Sequence, residues 1–465
     1  TDPASFQPRR TNRDITEQAA KAFADVAERM RNERREPPER VAHFLTQCLF
    51  CFFAEDVGLL PERLFEKLVA KQITPDKLRS ALVELFGRMR DGGLFGLDDI
   101  PWFNGGLFKT IDVPMITPMD VAALKTASTL NWSAIDVAIF GTLFERGLDP
   151  KKRSQLGAHY TDPATIMRIV TPVVERPLRA EWAHAREDIA RIIAKSKKHN
   201  DAASLKAKAA LIRFLDRLAA YRVLDPACVS GNFLYLALKT LKDIEHSVHV
   251  DAQALGLERP LDLVTSPANV LGIELNEYAA ELARVTVWIG ELQWRLNHGY
   301  PFKQNPVLEP LDHIECRDAL LSEDRKKLAN VAAAAEDSRL PTGIAWRTRS
   351  GTEREDGATE WTEVYDSYRI GKMLVGEAAW PRADAVIGNP PFVGGSKKRR
   401  ELGDETFEAL AKIYEGRVPP GADLVCYWFD KALQHMKRGE LERAGFVSTN
   451  SIRGGKNRAV LDAIV

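Results

Sequence analysis

The sequence predicts an α/β protein: a doubly wound parallel sheet preceded by an all-α helical domain. Three observations lead there. From Tyr221 onward, short apolar runs alternate with stretches of helical periodicity, the pattern of successive strand–helix units. Residues 1–150 read as mostly helix. Between them, KKRSQLGAHYTDP at 151–163 changes character and begins a new unit.

The bulk of the chain sets the frame. With 465 residues and 45% hydrophobic content it can bury a large core and hold two or more domains. Its 65 basic and 65 acidic side chains leave no net charge, so any nucleic-acid or membrane binding must come from local patches. No signal peptide is present, and the most apolar run, CLFCFFA at 48–54, is too short to span a bilayer. Five cysteines do not make a disulfide framework. A soluble, cytoplasmic protein with no membrane partner is expected. The chain starts at Thr1 without methionine and stops at Val465 after a helix-like run, so it reads as a piece of something longer.

In VAHFLTQCLFCFF, the set Val41, Phe44, Leu45, Cys48, Leu49 and Phe52 follows the spacing of one buried helix face. Cys48 and Cys51 form a CxxC without a second pair or nearby histidines, which reads as core packing rather than a metal site. DGGLFGL and NGGLF are turns. Residues 184–220 are charged and helical, an insertion or connector. The runs YRVLD (221–225), NVLGIE (269–274), DAVIGN (384–389) and AGFVSTN (444–450) read as strands. Leu282, Val285, Ile289, Leu292 and Leu296 mark one face of an intervening helix. Residues 321–380 are polar and charge-dense, an expected surface excursion.

Ligands of such sheets bind beyond the carboxyl ends of the strands. Four features fall there. DPACVSGNF (Asp225, Pro226, Ala227, Gly231, Asn232, Phe233) follows the first strand, with Gly231 allowing close backbone approach and the next helix start offering N–H groups. Glu274 ends the next strand, where a carboxylate can accept from two ribose hydroxyls. Asp318, in IECRDAL, can end a third and meet an amino group such as that of adenine. Asn389-Pro390-Pro391-Phe392 ends the fourth. No phosphate-loop lysine and no GxGxxG occur, so the expected ligand is an adenosine derivative without a pyrophosphate. Capping roles for Asp225 and Asp318 and a solvated Glu274 are the plain alternative.

The NPPF tetrapeptide is the most specific signal. Consecutive prolines fix the backbone and remove two donors, leaving carbonyls and the Asn389 side-chain oxygen as acceptors. Acceptors on both N–H bonds of a planar exocyclic amine would localise its lone pair, an electrostatic stabilisation of developing positive charge. Phe392 would stack on the base, which must leave a duplex to reach the pocket.

These residues resemble the gamma order of amino-group DNA methyltransferases that use S-adenosylmethionine. HYTDP, with Tyr160 and Thr161, resembles the motif contacting the cofactor's methionine moiety; DPACVSGNF resembles the cofactor loop, GIE the ribose-binding acid, RDAL the adenine-binding step and NPPF the catalytic motif. GNPPFVGGSKKRRELGDE together with LFCFFAEDVGLLP is similar to MmeI-like type IIL restriction–modification proteins and related phage-defence methyltransferases. The resemblance implies a Rossmann-like methyltransferase sheet over 151–465, a helical spacer over 1–150, and methyl transfer to the N6 amino group of adenine in double-stranded DNA, with the adenine flipped out. It also allows other subunits of a defence system as partners. No Asp…Glu-x-Lys nuclease cluster is evident, and the segment ends before a target-recognition domain could form, so specificity is expected to lie outside it. Two alternatives stand beside this reading: a protein glutamine-amide methyltransferase, and a DNA-binding scaffold subunit with an impaired cofactor loop.

The loop departs from the family at Val229, where glycine is usual. If the backbone there requires positive φ, a β-branched residue costs roughly 1–3 kcal/mol, which would weaken cofactor binding about ten- to a hundredfold if the loop adopts that shape only when occupied; with an ordinary backbone, valine merely crowds the ligand. After NPPF, Lys397, Lys398, Arg399 and Arg400 are expected to contact DNA phosphates, and Arg453, Lys456 and Arg458 to extend the patch. Lys151, Lys152 and Arg153 are less informative.

Overall fold

The computed structural model describes residues 12–71, 74–103, 106–137, 161–196, 201–258, 262–302, 308, 310–323, 345–353, 359–370 and 373–464. Its amino-terminal part comprises α1 (Asn12–Asn32), α2 (Pro38–Asp56), α3 (Leu64–Ala70), α4 (Pro75–Asp91) and α5 (Pro118–Ala127), with one antiparallel hairpin of β1 (Gly93–Phe95) and β2 (Asp98–Ile100). Pro38, Pro75 and Pro118 open their helices, where a missing N–H removes no intrahelical bond. The sequence marked one buried face on α2; the helix is instead buried nearly all round from Val41 to Ala54, His43 excepted. The reason is its phenylalanines: Phe50 meets Phe103 and Phe108, while Phe52 meets Phe65 and stacks on Trp132. Cys48 and Cys51 lie inside this core, with Cys51 Sγ 3.5 Å from Met89 Sδ.

Next come α6 (Pro163–Val170), a π-helical turn over Thr171–Glu175, and a hairpin of α7 (Arg176–Ile193) and α8 (Ala202–Ala220), closed by Trp182 against Phe214. The remaining elements are β3 (Val223–Asp225), α9 (Asn232–Ala254), β4 (Val270–Glu274), α10 (Glu277–Asn297), β5 (Ile314–Cys316), β6 (Leu321–Glu323), β7 (Ala345–Glu353), β8 (Thr359–Ile370), β9 (Met373–Glu377), β10 (Ala385–Gly388), α11 (Gly395–Leu402), α12 (Asp404–Ile413), α13 (Cys426–Lys437), β11 (Arg443–Phe446) and α14 (Arg458–Asp462).

The central sheet has the order β11-β10-β3-β4-β5, with every neighbouring pair parallel. Alternate residues enter different cores. Val223, Val270, Ile314 and Ile387 join the helices from α6 to α10, whereas Leu224, Leu271, Ile273 and Val386 join α12 and α13. The chain runs outward from β3 through β4 to β5, then returns to the other side of β3 as β10. That reversal puts a crevice between the tips of β3 and β10. The fold is thus a Rossmann-like doubly wound sheet preceded by a helical region.

Two expectations change. Over 321–380 the described residues form a second, antiparallel sheet of order β6-β9-β8-β7 rather than an irregular excursion. On α10, Leu282, Val285, Ile289 and Leu292 are buried, but Leu296 is exposed because the helix ends one residue later. No helix among the described residues is long and apolar enough to cross a membrane.

The helical part docks on α10. His43 Nδ1 lies 2.5 Å from Glu281 Oε1, and Gln293 Nε2 donates to the carbonyls of Ser133 and Ile135 at 3.1 and 2.8 Å. Leu49, Phe53 and Trp132 face Leu282, Val285 and Ile289 across the seam.

Candidate active site

The turn after β3 is closed by its own backbone. Cys228 N–H donates to Ile273 O at 3.1 Å, extending the β3–β4 ladder, and Gly231 N–H donates to Cys228 O at 2.7 Å. Gly231 has φ of 82°, and a Cβ there would lie 2.8 Å from Ala283 Cα on α10, so both conformation and packing require glycine. Val229 has φ of 46°, in the left-handed region where a β-branched residue is strained. Its N–H donates to Glu274 Oε2 at 3.0 Å, and Asn276 N–H donates to Glu274 Oε1 at 2.8 Å. Glu274 therefore braces the turn as well as ending β4.

Asp225 is buried at the tip of β3. Its Oδ1 accepts from Ala227 N–H at 3.1 Å, while Oδ2 has no hydrogen-bond partner among the described residues. Burial, reinforced by the Glu274 charge, pushes its carboxyl up to about 8, and burial likewise raises Glu274. No cation pairs with either carboxylate among the described residues. Pro226 O accepts from Trp428 Nε1 at 3.2 Å, so α13 props the turn from below. Asp318 lies beyond β5, and its Oδ1 accepts from the N–H groups of Leu320 and Leu321 at 2.7 and 3.1 Å. Asn232 and Phe233 are buried in the first turn of α9; Pro226 is buried and Ala227 half-buried.

The NPPF segment leaves β10 beside this turn. Ala385 and Val386 pair with Val223 and Leu224, and a Cβ on Gly388 would come within 2.6 Å of Asp225 Oδ1. Residue 388 must be glycine for Asn389 to start that close to the turn. Asn389 Nδ2 donates to Thr161 Oγ1 at 2.7 Å, which orients the amide with its oxygen away from Thr161. Thr161 precedes Asp162, whose side chain caps α6 by accepting from Thr165 N–H at 3.0 Å. Tyr160 lies outside the described residues, as do Lys151, Lys152 and Arg153. Pro390 is buried; Pro391 and Phe392 are half-buried, with Phe392 packed against the α12–α13 core. Beyond it, Leu424 N–H donates to Val393 O at 2.8 Å, and Gly395 N–H to Asp423 Oδ1 at 2.9 Å.

The four consecutive basic residues do not share one environment. Lys397 is exposed. Lys398 is fully buried and is removed from the DNA-contact set: its Nζ donates to Ala422 O at 2.8 Å and Tyr427 OH at 3.0 Å, and sits 4.5 Å from the Tyr427 ring centroid. Burial lowers its ammonium to about 8. Arg399 pairs with Asp404 and Glu408 and stacks on Phe407, and Arg400 pairs with Glu401. Sequence reasoning also missed the roles of Trp428, Asp423 and Asn457, whose partners are remote in the chain.

Taken together, the tips of β3, β4 and β10 place the buried Asp225 and the half-buried Glu274, neither ion-paired among the described residues, next to an oriented amide and two prolines. This can hold a small, positively charged, hydroxyl-bearing ligand against an amine acceptor site.

Residues 197–464 match the family described as the MmeI DNA-methyltransferase domain, and residues 39–108 match the MmeI helicase spacer domain. DNA methyltransferase A of Bacillus subtilis (strain 168) is 25% identical over 453 residues, covering 95% of this chain and 44% of that protein. The solved structure of the type IIL restriction–modification enzyme MmeI in complex with DNA superposes with a TM-score of 0.66 at 24% identity, covering 96% of this chain and 52% of that one. The chain thus spans about half the length of both relatives.

Proposed function

The chain belongs to the family of MmeI DNA-methyltransferase domains, and from that premise we propose that it methylates the N6 amino group of adenine in double-stranded DNA, with S-adenosylmethionine as donor. The observation that carries the reading is the contact of Gly388 with Asp225, which brings the start of NPPF to the cofactor turn. A cationic donor fits the residues present, because a positive charge beside them would favour the ionised forms of Asp225 and Glu274, whose carboxyls burial raises.

Glu274 would hold the ribose hydroxyls, Asp318 the adenine amino group of the cofactor through its second carboxylate oxygen, and Tyr160 and Thr161 the methionine end. When bound, S-adenosylmethionine supplies a methyl group already made electrophilic by the sulfonium. The protein's own work is positioning. Asn389 Oδ1 and the Pro390 carbonyl accept the two N–H bonds of the target amine and draw its lone pair out of the ring. The bond from Asn389 to Thr161 presets that acceptor. Phe392 stacks on the flipped base. Attack precedes loss of the proton, so no strong base is needed. We place this activity in a restriction–modification or phage-defence system, in which other subunits can take part.

The test is transfer of a tritiated methyl group to duplex DNA or to protein, followed by digestion to nucleosides. Label in N6-methyladenine, lost in Asn389→Ala, supports the reading. Label in protein, or in N4-methylcytosine, overturns it.

A further inference from the structure

Asp423 makes more connections at the site than any sequence signal suggested. Its Oδ1 accepts from Gly395 N–H at 2.9 Å, three residues beyond NPPF. Its Oδ2 accepts from Ser451 Oγ at 2.7 Å and from Asn457 Nδ2 at 2.8 Å, both in the loop after β11. Its own N–H donates to Asn457 Oδ1 at 2.7 Å. Asn457 Nδ2 also donates to Ser451 O at 3.0 Å, closing the 451–457 loop on itself. One half-buried carboxylate thus ties the exit of the NPPF segment to a loop more than fifty residues away.

The exposed cations around this clasp divide into two classes, while Lys398 is buried beside it on Ala422 O. Arg399, Arg400 and Arg458 are committed to Asp404, Glu401 and Asp462. Lys397, Arg453 and Lys456 are exposed and form no ion pair among the described residues. Each of these three stands within two residues of a group bonded to Asp423, namely Gly395, Ser451 or Asn457. The Lys456 side chain also runs past Gly421, where a Cβ would meet Nζ at 2.7 Å. Uncommitted cations on a braced backbone can neutralise phosphates without first breaking internal pairs.

We propose that Asp423 is a positioning residue that joins the NPPF exit to the 451–457 loop, and that the rim so formed presents Lys397, Arg453 and Lys456 to phosphates of the DNA backbone. This rests on the DNA reading above and names where that partner is gripped. Binding a phosphate at Lys456 and presenting a base at Asn389 become parts of one rigid unit.

The experiment uses the protein expressed from its own complete reading frame. Affinity for duplex DNA is measured across salt concentrations for the triple variant Lys397→Ala/Arg453→Ala/Lys456→Ala and for the control Arg399→Ala/Arg400→Ala/Arg458→Ala. The first is expected to reduce the slope of log Kd on log salt by about 2–3, the second by less than about 1. Equal losses, or a larger loss in the control, overturn the phosphate assignment. For Asp423, methyl transfer by Asp423→Ala, Lys456→Ala and the double variant is compared, with Asp423→Asn as a milder change if alanine prevents folding. Asp423→Ala should lower kcat/KM for DNA about tenfold or more, with cofactor affinity within about twofold. The loss from Lys456→Ala should shrink in the Asp423 background, whereas strict additivity overturns the coupling. Absence of methyl transfer to DNA by the unmodified protein would instead count against the function reading itself.

Discussion

Asn389 Nδ2 and Thr161 Oγ1 meet at 2.7 Å although 228 positions separate them in the chain. The acceptor end of the amide is thereby aimed by a residue two positions before α6. A remote hydroxyl can preorganise an amide acceptor in this way, because the threonine is itself fixed next to the capped start of α6.

Thr161→Val keeps the shape and removes the acceptor. It is expected to lower kcat about ten- to a hundredfold, since the amide loses its partner at a cost of about 1–3 kcal/mol. Thr161→Ser should restore most of the rate. Asn389→Ala should cost about a hundred- to a thousandfold. Steady-state methylation kinetics with calorimetric cofactor affinities measure this; a Thr161→Val protein with normal kcat and weakened cofactor binding would contradict the orienting role.

Val229→Gly removes a β-branched residue from φ of 46°. Relief of about 1–3 kcal/mol of strain, less about 0.5–1 kcal/mol for the freer unfolded chain, gives a net stabilisation of about 0–2.5 kcal/mol. Cofactor affinity is expected to rise on the order of tenfold as the turn is uncrowded. Urea melts and calorimetry on both proteins check the two effects separately, and unchanged values in both would show that valine is harmless there.

Asp225 gives a pH signature. Its carboxyl is raised to about 8 from an ordinary value near 3.8, so the folded protein keeps a proton that the unfolded chain has released. Stability contributed by this group is full below about 4 and is lost as pH rises toward about 8. Asp225→Asn lacks that slope. The variant should therefore gain stability relative to the parent between pH 5 and pH 8, seen as a widening gap between urea midpoints. A pH-independent gap would mean that Asp225 is already ionised in the fold.

Lys398 titrates with the opposite sign. Lowered to about 8 from 10.5, it favours the folded state increasingly as pH rises between those values, because the unfolded chain still holds its proton. Lys398→Met should abolish that alkaline gain and leave the salt slope of DNA binding unchanged. A lowered salt slope would return Lys398 to the phosphate-contacting set.

Strands β3, β4 and β10 were legible because each is an apolar run with a polar residue at or just past its carboxyl tip: Asp225, Glu274 and Asn389. A parallel strand buried on both faces can look no other way. The NPPF segment was legible because two prolines leave few alternatives for the backbone. What escaped has a common cause. Lys398 was read by its charge, yet on α11 it lies one turn from both Gly394 and the half-buried Leu402, a stripe the periodicity could have exposed. The β6–β9 sheet escaped because its two long strands, β7 and β8, intersperse charged and polar residues along their length, which mimics an irregular surface segment. Asp423 and Asn457 act on backbone groups of distant loops, and no local pattern encodes a partner thirty positions away.

Helix α10 has consequences for anyone recombining these proteins. One side receives His43, Trp132 and the Ser133 carbonyl; the other, at Ala283, is the surface on which Gly231 rests. A chimaera that exchanges the amino-terminal helices while retaining the native Glu277–Asn297 segment would mate a foreign surface to the helix under the Asp225–Gly231 turn. Grafts that carry this helix's docking side chains along with the helices should keep donor binding intact, and those that do not should lose it without a single change in the pocket.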